Sequence, residues 1–298
     1  MSVGAPRGIR GLAGRAGRRR AWFGLLTVLG LAERGFFIPC RTAGEAPPPG
    51  SRRPYPAIEA RLASCEGRFR EVLEDCADYA DDLLRIGEAP RWTQDWFPRL
   101  DAAVAYSRLR KLAPTRVVEV GSGHSTRFLR RAVADGSLAT HITAIDPAPR
   151  ADIGAASNSN SNGSGGMTLL RQSVQATGEA PFRDLAAGDM LLIDSSHVLM
   201  PGSDVDFLFG RILPLLPAGV HVQLHDIFLP DDYPADWHWR GYNDQLGVAA
   251  LLLGGGWRVD FASHYVASRM AADLAASPLA RLPRLPGSHE SSFWLVKG

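Results

Sequence analysis

The stretch Val117-Val118-Glu119-Val120-Gly121-Ser122-Gly123-His124-Ser125-Thr126 decides the fold. A β-branched run passes straight into Gly-x-Gly, and behind it Phe128, Leu129, Ala132 and Val133 recur at helical spacing. The pattern is a buried strand, a tight turn and a helix that packs back on the strand. Glycine at the turn admits positive φ and lets a ligand approach the backbone, and the helix start beyond it offers unpaired N–H groups. Ser125 is placed to cap that helix.

The same rhythm continues outward. Apolar runs at 142–145, 168–170, 190–193 and 219–224 read as further buried parallel strands, with helical patterns between most of them. This predicts an α/β fold with a doubly wound parallel sheet. Upstream, Ile58, Leu62, Cys65, Phe69, Val72, Cys76, Tyr79, Leu83 and Ile86 alternate at spacings of four and three, which predicts one amphipathic helix. It caps the main domain or pairs with a second chain. The expected organisation is a basic, apolar arm and Pro-rich linker at 1–55, a helical extension at 56–90 and the α/β domain at 91–298. Ser157 to Gly166, built of Ser, Asn and Gly, reads as a solvated loop.

Composition bounds the function. In 298 residues, 45% hydrophobic and 21% charged excludes a wholly disordered chain. No apolar run reaches the ~20 residues of a membrane-spanning helix. Three cysteines, Cys40, Cys65 and Cys76, are too few for a disulfide scaffold and lack zinc-knuckle spacing, which suits a reducing cytoplasm. Residues 1–53 carry ten Arg against two Glu, whereas the remainder is net acidic, so the body has no electrostatic reason to bind nucleic acid. In the arm, Arg18-Arg19-Arg20 precedes a dozen apolar residues, which mimics an export signal, even a twin-arginine one. No small-x-small cleavage site follows at the usual place. A helix packed on the body and an arm resting on anionic lipid are the other two readings.

Four readings of the glycine turn compete. A dinucleotide site wants a third glycine where Thr126 stands. A hydrolase nucleophile elbow wants Gly-x-Ser-x-Gly, but Gly123-His124-Ser125-Thr126-Arg127 ends in Arg. An S-adenosylmethionine site places the amino-acid end of the cofactor at the turn and has no pyrophosphate to accommodate. The fourth is a turn that serves backbone geometry alone. Asp146 ends the second strand 23 residues after Gly123, where an acid accepts both hydroxyls of a ribose, or simply forms a turn before Pro147. After the third strand, Ser173 falls by position at the adenine rim.

Ligands of an open parallel sheet bind at the carboxyl ends of its strands. Asp194 and His197 end the fourth strand and His225 and Asp226 the fifth, so the four converge beside the glycine turn. They suit a divalent metal that acidifies a hydroxyl, or a histidine base oriented by a carboxylate. Strand-end caps are the bland alternative. Residues 229–243, rich in Trp, Tyr and Asp, form a lid or substrate wall, or a long loop pinned by buried tryptophans.

Taken together, Glu119-Val120-Gly121-Ser122-Gly123, Asp146, Ile193-Asp194-Ser195-Ser196-His197, Leu216-Pro217-Ala218-Gly219-Val220 and His225-Asp226 resemble a class I S-adenosylmethionine-dependent methyltransferase. The resemblance spans roughly 90–298. It implies a Rossmann-like seven-stranded sheet with an antiparallel last strand, the final two strands being 257–261 and 292–296. It implies O-methylation of a small-molecule or sugar hydroxyl, with cofactor contacts from Glu119, Gly121, Ser122, Gly123, Ser125, Asp146, Ser173 and Asp194. His197 is then the favoured base, with His225 and Asp226 as orienting groups. Relatives that hold magnesium use acids at these strand tips; Asp194 and Asp226 match two positions, while His225 stands where a third acid or an amide is usual. A metal-dependent hydrolase built on the Asp/His cluster and a non-catalytic cofactor-binding module are the alternatives.

Overall fold

The computed structural model describes residues 14–48, 50–149 and 166–298. Most of the Ser/Asn/Gly tract, at 157–165, lies outside the described residues. The chain divides into two compact units, Met1–Arg52 with Asp232–Gly241, and Arg53–Asp231 with Tyr242–Gly298.

In the smaller unit, helix α1 (Arg15–Val28) is followed by a turn that folds back on its end, and residues Ala235–Arg240 form a 3-10 helix. Asp232 accepts from the Gly50 N–H and the Arg52 Nε, both at 2.9 Å. Arg240 lies over the Trp237 ring at 3.9 Å and the Trp239 ring at 5.5 Å. Trp239 is exposed, so the 229–243 segment is not pinned by buried tryptophans.

In the larger unit, helices α2 (Pro56–Ala63), α3 (Glu66–Ala77), α4 (Ala80–Leu84) and α5 (Arg99–Leu112) precede the first strand. The apolar stripe from Ile58 to Ile86 is real, but it runs over three helices rather than one. Cys65 and Tyr79 hold ψ near 0° (−1° and 11°), so the axis turns while the same face stays inward. Ile58, Leu62, Phe69, Val72, Cys76 and Leu83 are buried in the same core as the sheet. Burial pushes the Cys76 thiol up to about 12, as suits a packing residue.

The sheet follows as β1 (Arg116–Val120), α6 (His124–Asp135), β2 (His141–Ile145), β3 (Met167–Leu170), α7 (Val174–Thr177), α8 (Ala180–Arg183) and β4 (Met190–Ile193). After β4 come α9 (Asp204–Phe207), a π turn at Leu208–Ile212, α10 (Leu213–Leu215) and β5 (His221–Leu224). The chain closes with α11 (Gln245–Gly254), β6 (Trp257–Ala262), α12 (Ser263–Arg269), α13 (Ala271–Ala276) and β7 (Phe293–Lys297). Seven strands lie in the order β3-β2-β1-β4-β5-β7-β6, with β7 antiparallel to both neighbours. Order reverses between β1 and β4, which sets a crevice at their carboxyl ends. Every residue of β4 is buried, as a central strand of Met, Leu and Ile requires.

The pairing of β6 with β7 shifts between Val259 and Phe261. Asp260 sits at this irregularity, fully buried, and ion-pairs with Arg108 of α5 and, at 2.9 Å, with Arg68 of α3. Burial opposes its ionisation, but Arg108 and Arg68 outweigh that and hold its carboxyl below the usual range.

Candidate functional site

The glycine turn leaves β1 at Gly121, which has φ +86°. A Cβ there would strike the backbone oxygen of Asp194, so both conformation and space demand glycine. Gly123 differs: nothing lies within 4 Å of a Cβ built on it. The space above Gly123 is open.

Glu119 is buried beneath the turn. Its carboxylate accepts from Ser125 Oγ at 2.5 Å and from Thr126 Oγ1 at 2.6 Å. Thr126 Oγ1 in turn accepts from the Gly123 N–H at 2.9 Å. Ser125 therefore does not cap α6; it sits inside the helix and fastens to Glu119, while Gly123 is the N-cap and Thr126, three residues on, accepts its N–H. Burial pushes the Glu119 carboxyl up to about 7 against the hydrogen bonds that favour its charge.

Asp146 stands at the tip of β2. Its Oδ2 accepts from the Ser122 N–H at 2.9 Å and the Ser122 hydroxyl at 2.8 Å, and its Oδ1 from the Ala148 N–H at 2.8 Å. The carboxylate is thus aimed beside the glycine turn, with acceptor capacity left on each oxygen. Ser173, after β3, caps α7 through its hydroxyl, which accepts from the Ala176 N–H.

The structure brings Asp194, His197, His225 and Asp226 together at the tips of β4 and β5. His197 Nε2 donates to Asp194 Oδ1 at 3.1 Å and Nδ1 to Asp244 Oδ2 at 3.1 Å, with Asp226 Oδ2 3.7 Å from Nε2. The Tyr242 ring covers the imidazole at 4.4 Å. His225 lies 3.4 Å from Asp226, 3.4 Å from Asp101 and 3.8 Å from Asp194. Asp226 also accepts from the Ser291 hydroxyl at 3.1 Å. His197 and Asp226 adopt left-handed φ, +60° and +57°, a conformation costly for residues other than glycine and favoured at functional strand ends.

Burial alone would lower both imidazoles, but the surrounding carboxylates prevail and raise them well above their usual value. Asp244 acts most on His197, and Asp226 on His225. Asp194 responds in the opposite direction. Desolvation would raise it, yet hydrogen bonds from His197 and His225 hold it far below the carboxylate range. Of the cluster, Asp194 faces outward, with 44% of its side chain exposed against 4% for His197.

The sequence assigns no role to three of these residues. Asp101 lies in the first turn of α5, where it accepts from the backbone N–H groups of Ser291 and Ser292 at 3.0 and 2.9 Å. Its signal was an acid inside the apolar run Leu100 to Ala105. Tyr242 lies in the 229–243 segment read as a lid or substrate wall, without a role of its own, and no local pattern marks Asp244.

A divalent cation needs several lone pairs turned to one point. Here the oxygens of Asp194 and Asp226 face imidazole N–H groups, and the imidazoles favour their cationic form. No three His, Cys, Asp or Glu side chains among the described residues are grouped to hold an ion. The donor set does not fit magnesium. The cofactor expectation fares differently: the open face of Gly123, the aimed Asp146 carboxylate and the buried, unpartnered Ser195 hydroxyl beside Asp194 fit a ligand at the reversal point of the sheet.

Residues 118–227 match the family model of a methyltransferase domain. The part of the fold from β1 to the tip of β5 is thus similar to a methyltransferase domain. Three solved structures are similar to this chain. The S-adenosylhomocysteine-bound Podospora anserina methyltransferase PaMTH1 shares 15% identity at a TM-score of 0.41, covering 89% of this chain and 99% of that one. A DUF574 family protein from Streptomyces avermitilis shares 13% at 0.41, covering 68% and 80%. The plantazolicin methyltransferase BamL, in complex with a triazolic desmethylPZN analogue and S-adenosylhomocysteine, shares 10% at 0.36, covering 78% and 98%. No curated protein matches this chain.

Proposed function

We propose that the enzyme methylates a hydroxyl oxygen of a small molecule, phenolic or sugar, and works in the reducing cytoplasm that its free thiols suit. The observation that carries this reading is the outward-facing Asp194 carboxylate, backed by His197 and His225 and placed beside the glycine turn. When bound, S-adenosylmethionine supplies a methyl group already activated by the sulfonium. The protein has to align the acceptor in line with that methyl and provide for the loss of its proton.

The chain's residues divide this work. The backbone at Gly121, Ser122 and Gly123 leaves room for the cofactor, and Asp146 receives the ribose hydroxyls. Glu119, Ser125 and Thr126 hold the turn in shape from beneath, and Ser173 sets the start of the short helix at the adenine rim. Asp194, kept ionised by His197 and His225, accepts a hydrogen bond from the acceptor hydroxyl and orients its oxygen toward the methyl, and the proton passes to water as the new C–O bond forms. His197 has no free nitrogen, since Asp194 and Asp244 occupy both, so it serves behind Asp194 as an orienting group rather than as the direct base. Asp226 and Asp101 hold His225 in the same supporting layer.

The test is calorimetric titration with S-adenosylhomocysteine, followed by transfer of labelled methyl to phenols, sugars and amines, each with and without a chelator. One-to-one binding and label on hydroxyls only is the expected result. Label on amines instead of hydroxyls, or turnover abolished by the chelator, would overturn the acceptor chemistry or the metal-free site respectively.

A further inference from the structure

Of the thirteen large hydrophobic side chains that stand exposed among the described residues, eight lie between residues 22 and 38. Trp22, Leu25 and Leu29 are 51–59% exposed, and Phe36, Phe37 and Ile38 are 57–66% exposed. An apolar concentration of this kind in so short a segment marks an interaction surface. Its charge says for what. Residues 14–53 carry eight Arg and two Glu, and Arg18, Arg19 and Arg20 are exposed on α1 itself.

The two properties are arranged along the helix, not around it. Arg15, Arg18, Trp22, Leu25 and Leu29 recur at spacings of three and four, so one stripe is basic at its start and apolar at its end. Beyond the end, the chain turns back: the Leu31 N–H donates to Leu26 O at 2.9 Å and the Arg34 N–H to Thr27 Oγ1 at 3.0 Å. That turn carries Phe36-Phe37-Ile38 directly after the apolar end. We propose that residues 15–38 seat the enzyme on an anionic membrane leaflet.

The dimensions agree with such a seat. Fourteen helical residues extend about 21 Å, of which the apolar half is about 10 Å, within the ~15 Å depth of one leaflet's hydrocarbon. No helix among the described residues is long and apolar enough to cross a membrane. The helix therefore dips its apolar end among the acyl chains, Trp22 sits at the boundary where indole rings favour the interface, and the arginines meet lipid phosphates. Each arginine near an anionic surface strengthens binding by about fivefold, and the attraction fades within a Debye length.

The test sediments the full-length enzyme with vesicles of phosphatidylcholine alone and of phosphatidylcholine mixed with phosphatidylglycerol. Two variants accompany it, a triple Arg18→Ser, Arg19→Ser, Arg20→Ser and a triple Leu29→Ser, Phe36→Ser, Phe37→Ser. Calorimetry with S-adenosylhomocysteine on the same preparations reports whether the larger unit is folded, and methyl transfer plays no part in the readout. Binding to the anionic vesicles only, weakened at least about tenfold in each variant and released from wild type by salt, is the expected result. Equal binding to neutral vesicles, or none to either, overturns the proposal. So does a self-association in analytical ultracentrifugation that the apolar triple removes while lipid binding is absent, which would assign the surface to a second copy of the chain.

Discussion

The hydroxyl of Thr126 donates a 2.6 Å hydrogen bond to buried Glu119 and accepts one from the Gly123 N–H, so the glycine turn is tied through one side chain to a buried carboxyl. The arrangement makes the turn sensitive to the charge on Glu119. That carboxyl ionises near 4.5 when exposed and at about 7 when folded. An acid raised by folding binds extra protons in the native state, so its stability is whole below pH 4.5 and is lost as pH rises through about 7. Glu119→Gln keeps the shape and removes the titration. The melting temperature of wild type relative to this variant should fall between pH 5 and pH 8, by an amount corresponding to about 3 kcal/mol. A gap that stays constant with pH would show that Glu119 is not buried as described.

The two glycines of the turn should separate folding from binding. Gly121→Ala meets the Asp194 backbone and an unfavourable φ, so thermal melting should register a loss of about 2 kcal/mol or more. Gly123→Ala meets nothing within 4 Å. It should melt as wild type does while calorimetric affinity for S-adenosylhomocysteine falls about tenfold or more, because the new methyl occupies ligand space.

Asp146→Ala removes the acceptor of the Ser122 and Ala148 bonds and the proposed ribose partner. Losing a charged hydrogen bond of this kind costs about 1.5–3 kcal/mol, so affinity for S-adenosylhomocysteine should drop about 10- to 100-fold. Unchanged affinity in the titration would remove Asp146 from the cofactor site.

Asp194→Asn and His197→Ala should both leave S-adenosylhomocysteine binding in place and lower kcat, the first more than the second, by about 100-fold or more against about tenfold. Equal turnover in the Asp194 variant would remove Asp194 from the orientation of the acceptor hydroxyl. The stability readout has its own sign. His197 is raised by folding, so what it contributes is whole below pH 6.5 and is lost as pH rises through its higher folded value. Asp194 is lowered, so its share is present above pH 3.8 and lost only as pH falls far below that. The gap in melting temperature between wild type and His197→Ala should therefore be full below about pH 6.5 and narrow progressively as pH rises above it.

The sheet was legible because its central strands are mostly apolar. Met190–Ile193 is apolar and buried throughout, and Val117–Val120 and Ile142–Ile145 bury every apolar residue, so composition locates them. The strand tips were legible for the same reason, since polar residues that end such runs must lie at the crevice. What escaped depends on longer range. Three helices imitate one when Cys65 and Tyr79 bend the axis without breaking the stripe, and periodicity reports faces, not axes. Ser125 and Thr126 are interchangeable caps on paper; only the buried Glu119 beneath them assigns their hydroxyls. The roles of His197 and Asp194 turned on which of two neighbours faces outward, a matter of the left-handed backbone at His197 that no spacing predicts. Asp244 completes the cluster from 47 residues away.

The left-handed conformations of His197 and Asp226 also bear on how this enzyme would respond to laboratory evolution. Glycine relieves such a backbone at once, and asparagine fits it better than histidine does. A library selected for heat resistance alone would gain at 197 or 226 only where relief of the backbone outweighs the ion pairs lost, and each such gain would loosen the cluster around Asp194. Robust variants obtained that way would be slower ones, and selection would have to retain turnover from the first round.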